Sequence, residues 1–269
     1  MTSVKNLHIL CYVNHYFGPA PYKALASTGP APYKALASTG LAPCEAPYRS
    51  YSQEPSIRRT YVQRTLAALR RLSRLREVGE VDVQVCGIRP HALVPVDIDF
   101  SHLSDPRFLI YESLAHMAPL LEKYDYFINI EDDMLLPRKT FKNILAFDQC
   151  NPPQECLHPN RIEQAWWRRK FLDPADAPAH WLNIEKNYRG HRLRVKTNPH
   201  SGILILSRKK FRYCLNRIDP SSREIVLGDP MASAFAYFHS PFTLYRPFED
   251  ARFHILIHQD RHHPDWEQR

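Results

Sequence analysis

Three consecutive carboxylates, Glu131, Asp132 and Asp133, directly follow a short apolar stretch at residues 126–130. Crowded carboxylates raise one another's pKa unless a cation neutralises them, and their hard oxygen atoms suit Mg²⁺ or Mn²⁺. On an extended strand Glu131 and Asp133 point to one side and Asp132 to the other. The outer pair could therefore share a metal while Asp132 reaches a ribose or orients the loop. The alternative is a solvated acidic turn that caps the helix predicted to begin at Pro137.

Two further groups of residues are candidates for ligand binding. His258 ends the apolar stretch 253–257 much as Glu131 ends its own, so we consider it a metal ligand, although a structural role is the default for any of the 14 histidines. Arg58 and Arg59 stand near the start of a predicted helix, where arginine and the helix N-terminus together favour phosphate. Each arginine is therefore a separate candidate for binding an anion.

The elements that must position these groups alternate between strands and helices along the chain. Apolar or alternating runs predict strands at 7–13, 81–88, 126–130, 203–206 and 253–257. Helical spacing and N-cap signals, with Ser56 as the cap of the first helix, predict helices at 56–79, 105–122, 137–147, 207–215 and 229–238. This order predicts an α/β fold with a mostly parallel central sheet flanked by helices, and sites at the carboxyl ends of its strands.

The sequence between residues 18 and 55 interrupts this order. Residues 18–28 recur identically as residues 29–39, and four prolines within the two copies exclude a continuous helix. Two copies are also too few for a solenoid. We therefore predict a single domain over residues 1–269 with a proline-rich, duplicated loop inserted at 18–55.

Charge is unevenly distributed along the chain. The net charge is +8, yet residues 161–217 alone carry an excess of ten basic residues, whereas residues 97–155 carry an excess of six acidic ones. A basic surface formed by residues 161–217 could face an anionic acceptor, a membrane surface or nucleic acid. No apolar run is long enough to span a bilayer and no signal peptide is recognisable, so we predict a cytoplasmic protein, with a peripheral position at the membrane left open.

Residues 124–134, with the sequence YDYFINIEDDM, resemble the strand and DxD-type motif of GT-A-fold glycosyltransferases, with Glu131 in place of the first aspartate. The resemblance implies a single GT-A-like, Rossmann-like domain and a nucleotide-diphosphate sugar as donor. It also implies that Mn²⁺ or Mg²⁺ bridges the donor's diphosphate, held by Glu131 and Asp133 with His258 as a late ligand.

The same resemblance extends to the donor and acceptor sides of the site. Residues 7–14 are similar to the family's first strand, after which the nucleotide is bound, so Asn14, Arg59 and Asp132 are expected to bind the donor. Residues 200–207 resemble the strand beside the acceptor. Asp229 falls where inverting members carry the catalytic base, with Glu249 and Asp250 as alternates.

The leading hypothesis is therefore a metal-dependent glycosyltransferase that moves a sugar to an acceptor hydroxyl. A nucleotidyltransferase acting on sugar phosphates would use a similar sheet and metal, but such enzymes usually carry a glycine-rich phosphate loop, which the eight glycines do not form. A non-enzymatic nucleic-acid-binding protein would use the basic residues 161–217. The chain has no helix-turn-helix, zinc-finger or RNP signature, so nucleic acid is not the expected partner.

Overall fold

The computed structural model describes residues 6–18, 54–164, 169–171, 181–197, 202–227 and 230–260. Its strands are β1 (Leu7–His15), β2 (Val78–Gly87), β3 (Ile98–Asp99), β4 (Tyr126–Glu131), β5 (Met134–Leu135), β6 (Glu155–Leu157), β7 (Asn160–Gln164), β8 (Arg169–Phe171), β9 (Trp181–Tyr188), β10 (His191–Lys196), β11 (Ile203–Ser207), β12 (Thr243–Pro247) and β13 (Ile255–His258). Its α-helices are α1 (Pro55–Arg70), α2 (Leu109–Met117), α3 (Arg138–Cys150), α4 (Arg208–Leu215) and α5 (Pro230–His239).

The described strands form three sheets. The central sheet has the order β11-β4-β1-β2-β3, and two four-stranded sheets have the orders β6-β12-β10-β9 and β5-β13-β7-β8. In the central sheet β4, β1, β2 and β3 run parallel, while β11 pairs with β4 in the antiparallel direction. The two smaller sheets combine parallel and antiparallel pairs. The α/β class and the single domain are confirmed, whereas the three sheets taken together are mixed rather than clearly mostly parallel.

The alternation of side chains along β1 explains why helices cover both faces of the central sheet. Ile9, Cys11 and Val13 pack on one face with the apolar sides of α1 and α3, whereas Leu10 and Tyr12 pack on the other with α2, α4 and α5. Successive side chains of a strand point to opposite faces, so a strand that is apolar at every position needs a layer on each side. The continuous apolar run near the N-terminus is therefore a strand buried between two layers of helices.

Helix boundaries differ slightly from those that the sequence predicts. Helix α1 begins at Pro55, with Glu54 as the flanking residue, so the prediction of Ser56 as the N-cap is wrong; its hydroxyl instead donates to the Glu54 carboxylate. Asp105 does cap the next helical segment, as predicted, by accepting a hydrogen bond from the Arg107 amide. Pro55 explains the shift, because proline suits the first helical turn, where its missing N–H costs nothing.

The sheet formed by β6, β12, β10 and β9 was not predicted from the sequence. Its inner face packs on α3 through an apolar cluster that includes Phe147, Leu157, Leu193 and Tyr245. Charged residues alternate with the apolar ones in β10, and β6 has only three residues, so neither gives a strong strand pattern.

The remaining sequence-based predictions concern the duplicated loop and membrane-spanning segments. The duplicated loop at 18–55 lies almost entirely outside the described residues and stays a prediction. Among the helices that are described, none is both long and apolar enough to cross a membrane.

Candidate functional site

The carboxyl ends of β1 and β4 lie side by side because these strands pair in parallel, with Asn14 opposite Glu131. The chain leaves β4 through a two-residue turn, Asp132 and Asp133, before β5 begins. The extended geometry predicted through Asp133 is therefore wrong, because the strand ends at Glu131. The turn allows Asp132 and Asp133 to contact the same guanidinium, that of Arg58.

Strand β13 brings further polar groups to this edge. It pairs with β5 so that His258 lies opposite Met134, and with β7 so that His258 lies opposite Glu163. Asp260 follows two residues later and is fully buried. Five carboxyl groups thus gather around the turn, and we call them the acidic cluster: Glu131, Asp132, Asp133, Glu163 and Asp260.

Asp132 is held by two side chains from different elements. His15 Nδ1, at the end of β1, lies 2.5 Å from Asp132 Oδ2, and the Arg58 guanidinium of α1 donates to Asp132 Oδ1. Both carboxylate oxygens therefore accept hydrogen bonds from the protein itself. The side chain is 2% exposed, so these bonds compensate a carboxylate that is almost completely removed from water.

The hydrogen bonds of His15 establish its tautomer. Its Nε2 accepts a hydrogen bond of 2.8 Å from the Leu93 amide, so this nitrogen carries no proton. Nδ1 must then be the protonated nitrogen that donates to Asp132. His15 is consequently a neutral bridge between Asp132 and the Leu93 backbone, and it does not neutralise the carboxylate.

Arg58 is the cation that contacts most of the acidic cluster. Besides Asp132, its Nη1 donates to Asp133 Oδ2 at 2.9 Å and lies 3.7 Å from Asp260 Oδ2. Burial acts to lower the pKa of Arg58, but the three carboxylates outweigh it and raise the pKa above its ordinary value. The guanidinium thus stays charged and ties the turn to the segment that follows β13.

His258 is a second basic group that contacts Asp133. Its Nε2 is 3.5 Å from Asp133 Oδ2, and its Nδ1 is 3.4 Å from Glu163 Oε1. Burial alone would lower the pKa of His258, yet Asp133 and Glu163 raise it to about 9. The imidazole is therefore cationic at neutral pH in this arrangement, and Asp133 Oδ2 is close to two positive groups.

Glu131 lies against the backbone of Gly202. The Glu131 amide donates to the Gly202 carbonyl, and a Cβ added to this glycine would come within 2.5 Å of Glu131 Oε2. Gly202 also has a φ of +69°, in the left-handed region that favours glycine. Burial, followed by the Asp133 carboxylate, raises the pKa of Glu131 to about 7. Glu131 therefore takes up a proton more readily than an exposed glutamate does.

The backbone of the turn is fastened from two sides. The buried Thr65 hydroxyl of α1 lies 2.9 Å from the carbonyl oxygens of Asp132 and Met134, and it accepts a hydrogen bond from Gln259 Nε2. The backbone N–H of Gln259 also donates to the Asp133 carbonyl at 2.8 Å. Helix α1 and the end of β13 therefore determine where the carboxylates of the turn are placed.

The two other residues expected to bind the donor occupy different surroundings. Asn14 is buried and donates to Asn129 Oδ1 at 2.6 Å, while its own Oδ1 is buried and accepts no hydrogen bond within the described structure. Arg59 is exposed and donates to the Leu93 carbonyl at 3.1 Å. Of the two neighbouring arginines, the structure brings Arg58 to the cluster.

The residues considered as catalytic base are not part of the described cluster. Asp229 lies outside the described residues, so its role stays a prediction. The alternates Glu249 and Asp250 are exposed and pair with β10, through Arg192 at 3.0 Å and His191 at 3.2 Å respectively.

The donor set fits a divalent ion that uses few protein ligands. In the described ranges no group of three or more His, Cys, Asp or Glu side chains is arranged to hold a metal ion. Asp133 Oδ2 and His258 Nε2 are nevertheless 3.5 Å apart, close to the roughly 3 Å between adjacent ligands that each lie about 2.1 Å from one ion. Mg²⁺ commonly takes one or two carboxylates and completes its shell with water and substrate phosphates.

The charge of the site agrees with this fit. The five carboxyl groups of the acidic cluster outnumber the nearby basic groups, which are Arg58, Arg161 and His258. A divalent cation would remove this excess and reverse the condition that raises the pKa of Glu131.

Sequence reasoning missed several residues that shape this site. His15, Glu163, Asp260 and Gln259 were not singled out, although His15 is the last residue of β1 and Asp260 lies two residues beyond β13. Thr65 appeared only as part of an amphipathic helix. A buried polar residue on the apolar side of that helix was the available signal, since such residues usually hydrogen-bond a specific partner.

The basic residues 161–217 are largely engaged within the protein where they are described. Ion pairs connect them to the acidic segment 97–155: Lys186 with Glu155, Arg208 with Asp125, Lys210 with Asp148 and Arg212 with Glu122. The two oppositely charged segments of the sequence therefore neutralise each other in part across the fold.

Searches with the sequence match no protein-family model and no curated protein. The functional interpretation consequently depends on the site itself.

Proposed function

We propose that the protein is a metal-dependent glycosyltransferase that transfers a sugar from a nucleotide-diphosphate sugar to an acceptor hydroxyl. The observation that carries this proposal is the excess of buried carboxyl groups at the carboxyl ends of parallel strands β1 and β4, beside the position of Asn14. Ligands of open α/β sheets bind at this edge, and an excess of hard anionic ligands favours a divalent cation with a phosphate-containing partner.

In this proposal Asp133 and His258 hold Mn²⁺ or Mg²⁺, with Glu131 as the adjacent carboxylate. His258 would release its proton when the ion binds, because only the neutral imidazole can be a metal ligand. When bound, the ion would neutralise the charge that develops on the departing diphosphate. Asp132 keeps the turn in place through His15 and Arg58, and Thr65 holds its backbone. The Asn14 amide, whose buried Oδ1 accepts no hydrogen bond in the described structure, is available to the donor.

Asp229 remains the proposed base, since a carboxylate can remove the proton of the acceptor hydroxyl as the new glycosidic bond forms. The nucleic-acid alternative receives less support, because four of the basic residues that it requires are paired with carboxylates of the protein.

Ligand-induced thermal stabilisation tests this function. The wild-type protein is heated with UDP-, GDP- or CMP-sugars, each with and without MnCl₂, because a ligand that binds only the folded state raises Tm. We expect one nucleotide class to raise Tm in the presence of Mn²⁺. The double variant Glu131→Gln and Asp133→Asn should lose this shift.

The matched control carries Glu80→Gln and Glu122→Gln, which remove two exposed carboxylates outside the acidic cluster, and it should behave as wild type. An Mn²⁺-dependent shift that survives in the Glu131 and Asp133 variant would refute the assignment of the metal site. Stabilisation by none of the nucleotide sugars would refute the donor class.

A further inference from the structure

Arg58 contacts the carboxylate oxygen of Asp133 that a divalent cation would bind. Its Nη1 donates at 2.9 Å to Asp133 Oδ2, the same oxygen that lies 3.5 Å from His258 Nε2. A carboxylate oxygen that coordinates a metal has its lone pairs directed toward the ion, so a guanidinium that faces this oxygen interferes with coordination. The cation and the arginine therefore meet at one atom.

We propose that Arg58 is the resident counter-ion of the metal site and competes with the divalent cation for Asp133. This inference depends on the proposed function. Binding of the cation then requires the guanidinium to leave Asp133. The donor's diphosphate offers the guanidinium a new anionic partner, since arginine binds phosphate oxygens through two parallel N–H groups. Metal and nucleotide consequently strengthen each other's binding.

Electrostatics make this competition strong. Arg58 is 17% exposed and Asp133 only 8%, so neighbouring charges are poorly screened by solvent. A divalent ion placed at Asp133 while the guanidinium stays in contact would face direct repulsion from it. Removing the arginine abolishes this repulsion and frees both Asp132 and Asp133 for the ion.

The position of Arg58 in the fold also suits an exchange of partners. Arg58 lies in the first turn of α1, and Thr65 lies seven residues further along the same helix. The Thr65 hydroxyl holds the backbone of the Asp132–Asp133 turn. The carboxylates can therefore stay in place through Thr65 and Gln259 while the arginine changes its partner.

The test is Mn²⁺ binding without nucleotide, measured from the electron paramagnetic resonance signal of free Mn²⁺ during titration of the full-length protein. The variant Arg58→Gln should bind Mn²⁺ at least about tenfold more tightly than wild type. This change is smaller than the full interaction between two close charges near a protein surface would produce. Arg64→Gln, an exposed arginine on the same helix, is the matched control and should leave the affinity unchanged.

Two more measurements separate competition from a general loss of structure. UDP or GDP should raise the Mn²⁺ affinity of wild type clearly more than that of Arg58→Gln, because only wild type has to displace the arginine. MnCl₂ should also raise the Tm of Arg58→Gln more than that of wild type, since the ion then replaces the missing counter-ion. If Arg58→Gln does not fold, Arg58→Lys keeps the charge without the two-pronged contact and should bind Mn²⁺ more tightly than wild type.

A folded Arg58→Gln protein that binds Mn²⁺ no more tightly than wild type overturns the competition. In that case Mn²⁺-dependent nucleotide binding by wild type would leave the proposed function standing. Absence of Mn²⁺ binding in wild type and all variants, with and without nucleotide, would overturn the competition together with the metal site.

Discussion

His15 Nδ1 and Asp132 Oδ2 are 2.5 Å apart although 117 positions separate the two residues in the sequence. The contact joins the carboxyl end of one central strand to the turn that follows its neighbour. Because His15 Nε2 accepts from the Leu93 amide, the histidine is neutral and serves as a fixed hydrogen-bond donor. A neutral donor places Asp132 without cancelling its charge, so the acidic character of the site is preserved.

The first prediction concerns this contact. Replacing His15 with alanine leaves Asp132 and the Leu93 amide without a buried partner and opens a cavity at a fully buried position. We expect the free energy of unfolding to fall by about 2 to 4 kcal/mol, measured by urea denaturation. His8→Ala, on the same strand but half exposed and 3.9 Å from Glu80, should cost less than about 0.5 kcal/mol.

The tautomer can be checked independently. In ¹⁵N-labelled protein the Nδ1 resonance of His15 should be that of a protonated nitrogen and the Nε2 resonance that of an unprotonated one. The reverse pattern, or equal costs for the His15 and His8 variants, would contradict the bridge.

The second prediction concerns the backbone of the turn. Thr65→Val keeps the shape of a fully buried side chain but removes the hydroxyl that contacts the Asp132 and Met134 carbonyls and Gln259. Unsatisfied buried groups of this kind cost about 1 to 3 kcal/mol, which urea denaturation should detect. The same substitution at Thr60, whose hydroxyl bonds within the helix at the surface, serves as control and should stay within about 0.5 kcal/mol.

Thr65→Val should also weaken Mn²⁺ binding, because the carboxylates of the turn lose a fixed backbone. Unchanged stability together with unchanged Mn²⁺ affinity would show that α1 does not position the turn.

The third prediction concerns three buried histidines beside Arg246: His158, His239 and His254. Burial lowers the pKa of all three histidines, and the Arg246 charge lowers the pKa of His158 and His239 further. The pKa falls to about 3 for His239 and for His254. The unfolded chain binds protons at these positions below about pH 6.5, whereas the folded chain does not. Stability should therefore fall as the pH drops below about 6.5.

The slope of the free energy of unfolding against pH can be estimated for each proton bound. Each histidine contributes up to about 1.4 kcal/mol per pH unit to the fall in the free energy of unfolding. Glu131 offsets the contribution of one histidine between about pH 4.5 and 7, because its raised pKa makes the folded state bind the extra proton. Urea denaturation from pH 6.5 to 5 measures this slope, because His258, whose pKa is raised to about 9, adds an opposite slope mainly above about pH 6.5. His239→Asn should make the slope shallower and His102→Asn, at an exposed position, should not. A stability that is constant from pH 6.5 to 5 would contradict the prediction.

Much of the fold was predictable because the signals were local. The apolar run of β1, the Asp105 cap and the apolar stretch before Glu131 each follow from neighbouring residues, and each is found in the structure. The sheet of β6, β12, β10 and β9 was missed, since its short or highly charged strands are stabilised by packing on Phe147 of α3, which lies far in the sequence from Leu193 and Tyr245.

The candidate site divides in the same way. The sequence by itself determined that Glu131, Asp132 and Asp133 follow a buried strand and that His258 follows another, because burial patterns and residue order are local properties. Only the tertiary structure decided which groups face them. Strand register placed His15 beside Asp132, and helix α1 brought Arg58 into contact with the cluster, whereas Arg59 bonds to the Leu93 carbonyl. Such choices depend on rotations and pairings between distant segments, which no spacing along the chain encodes.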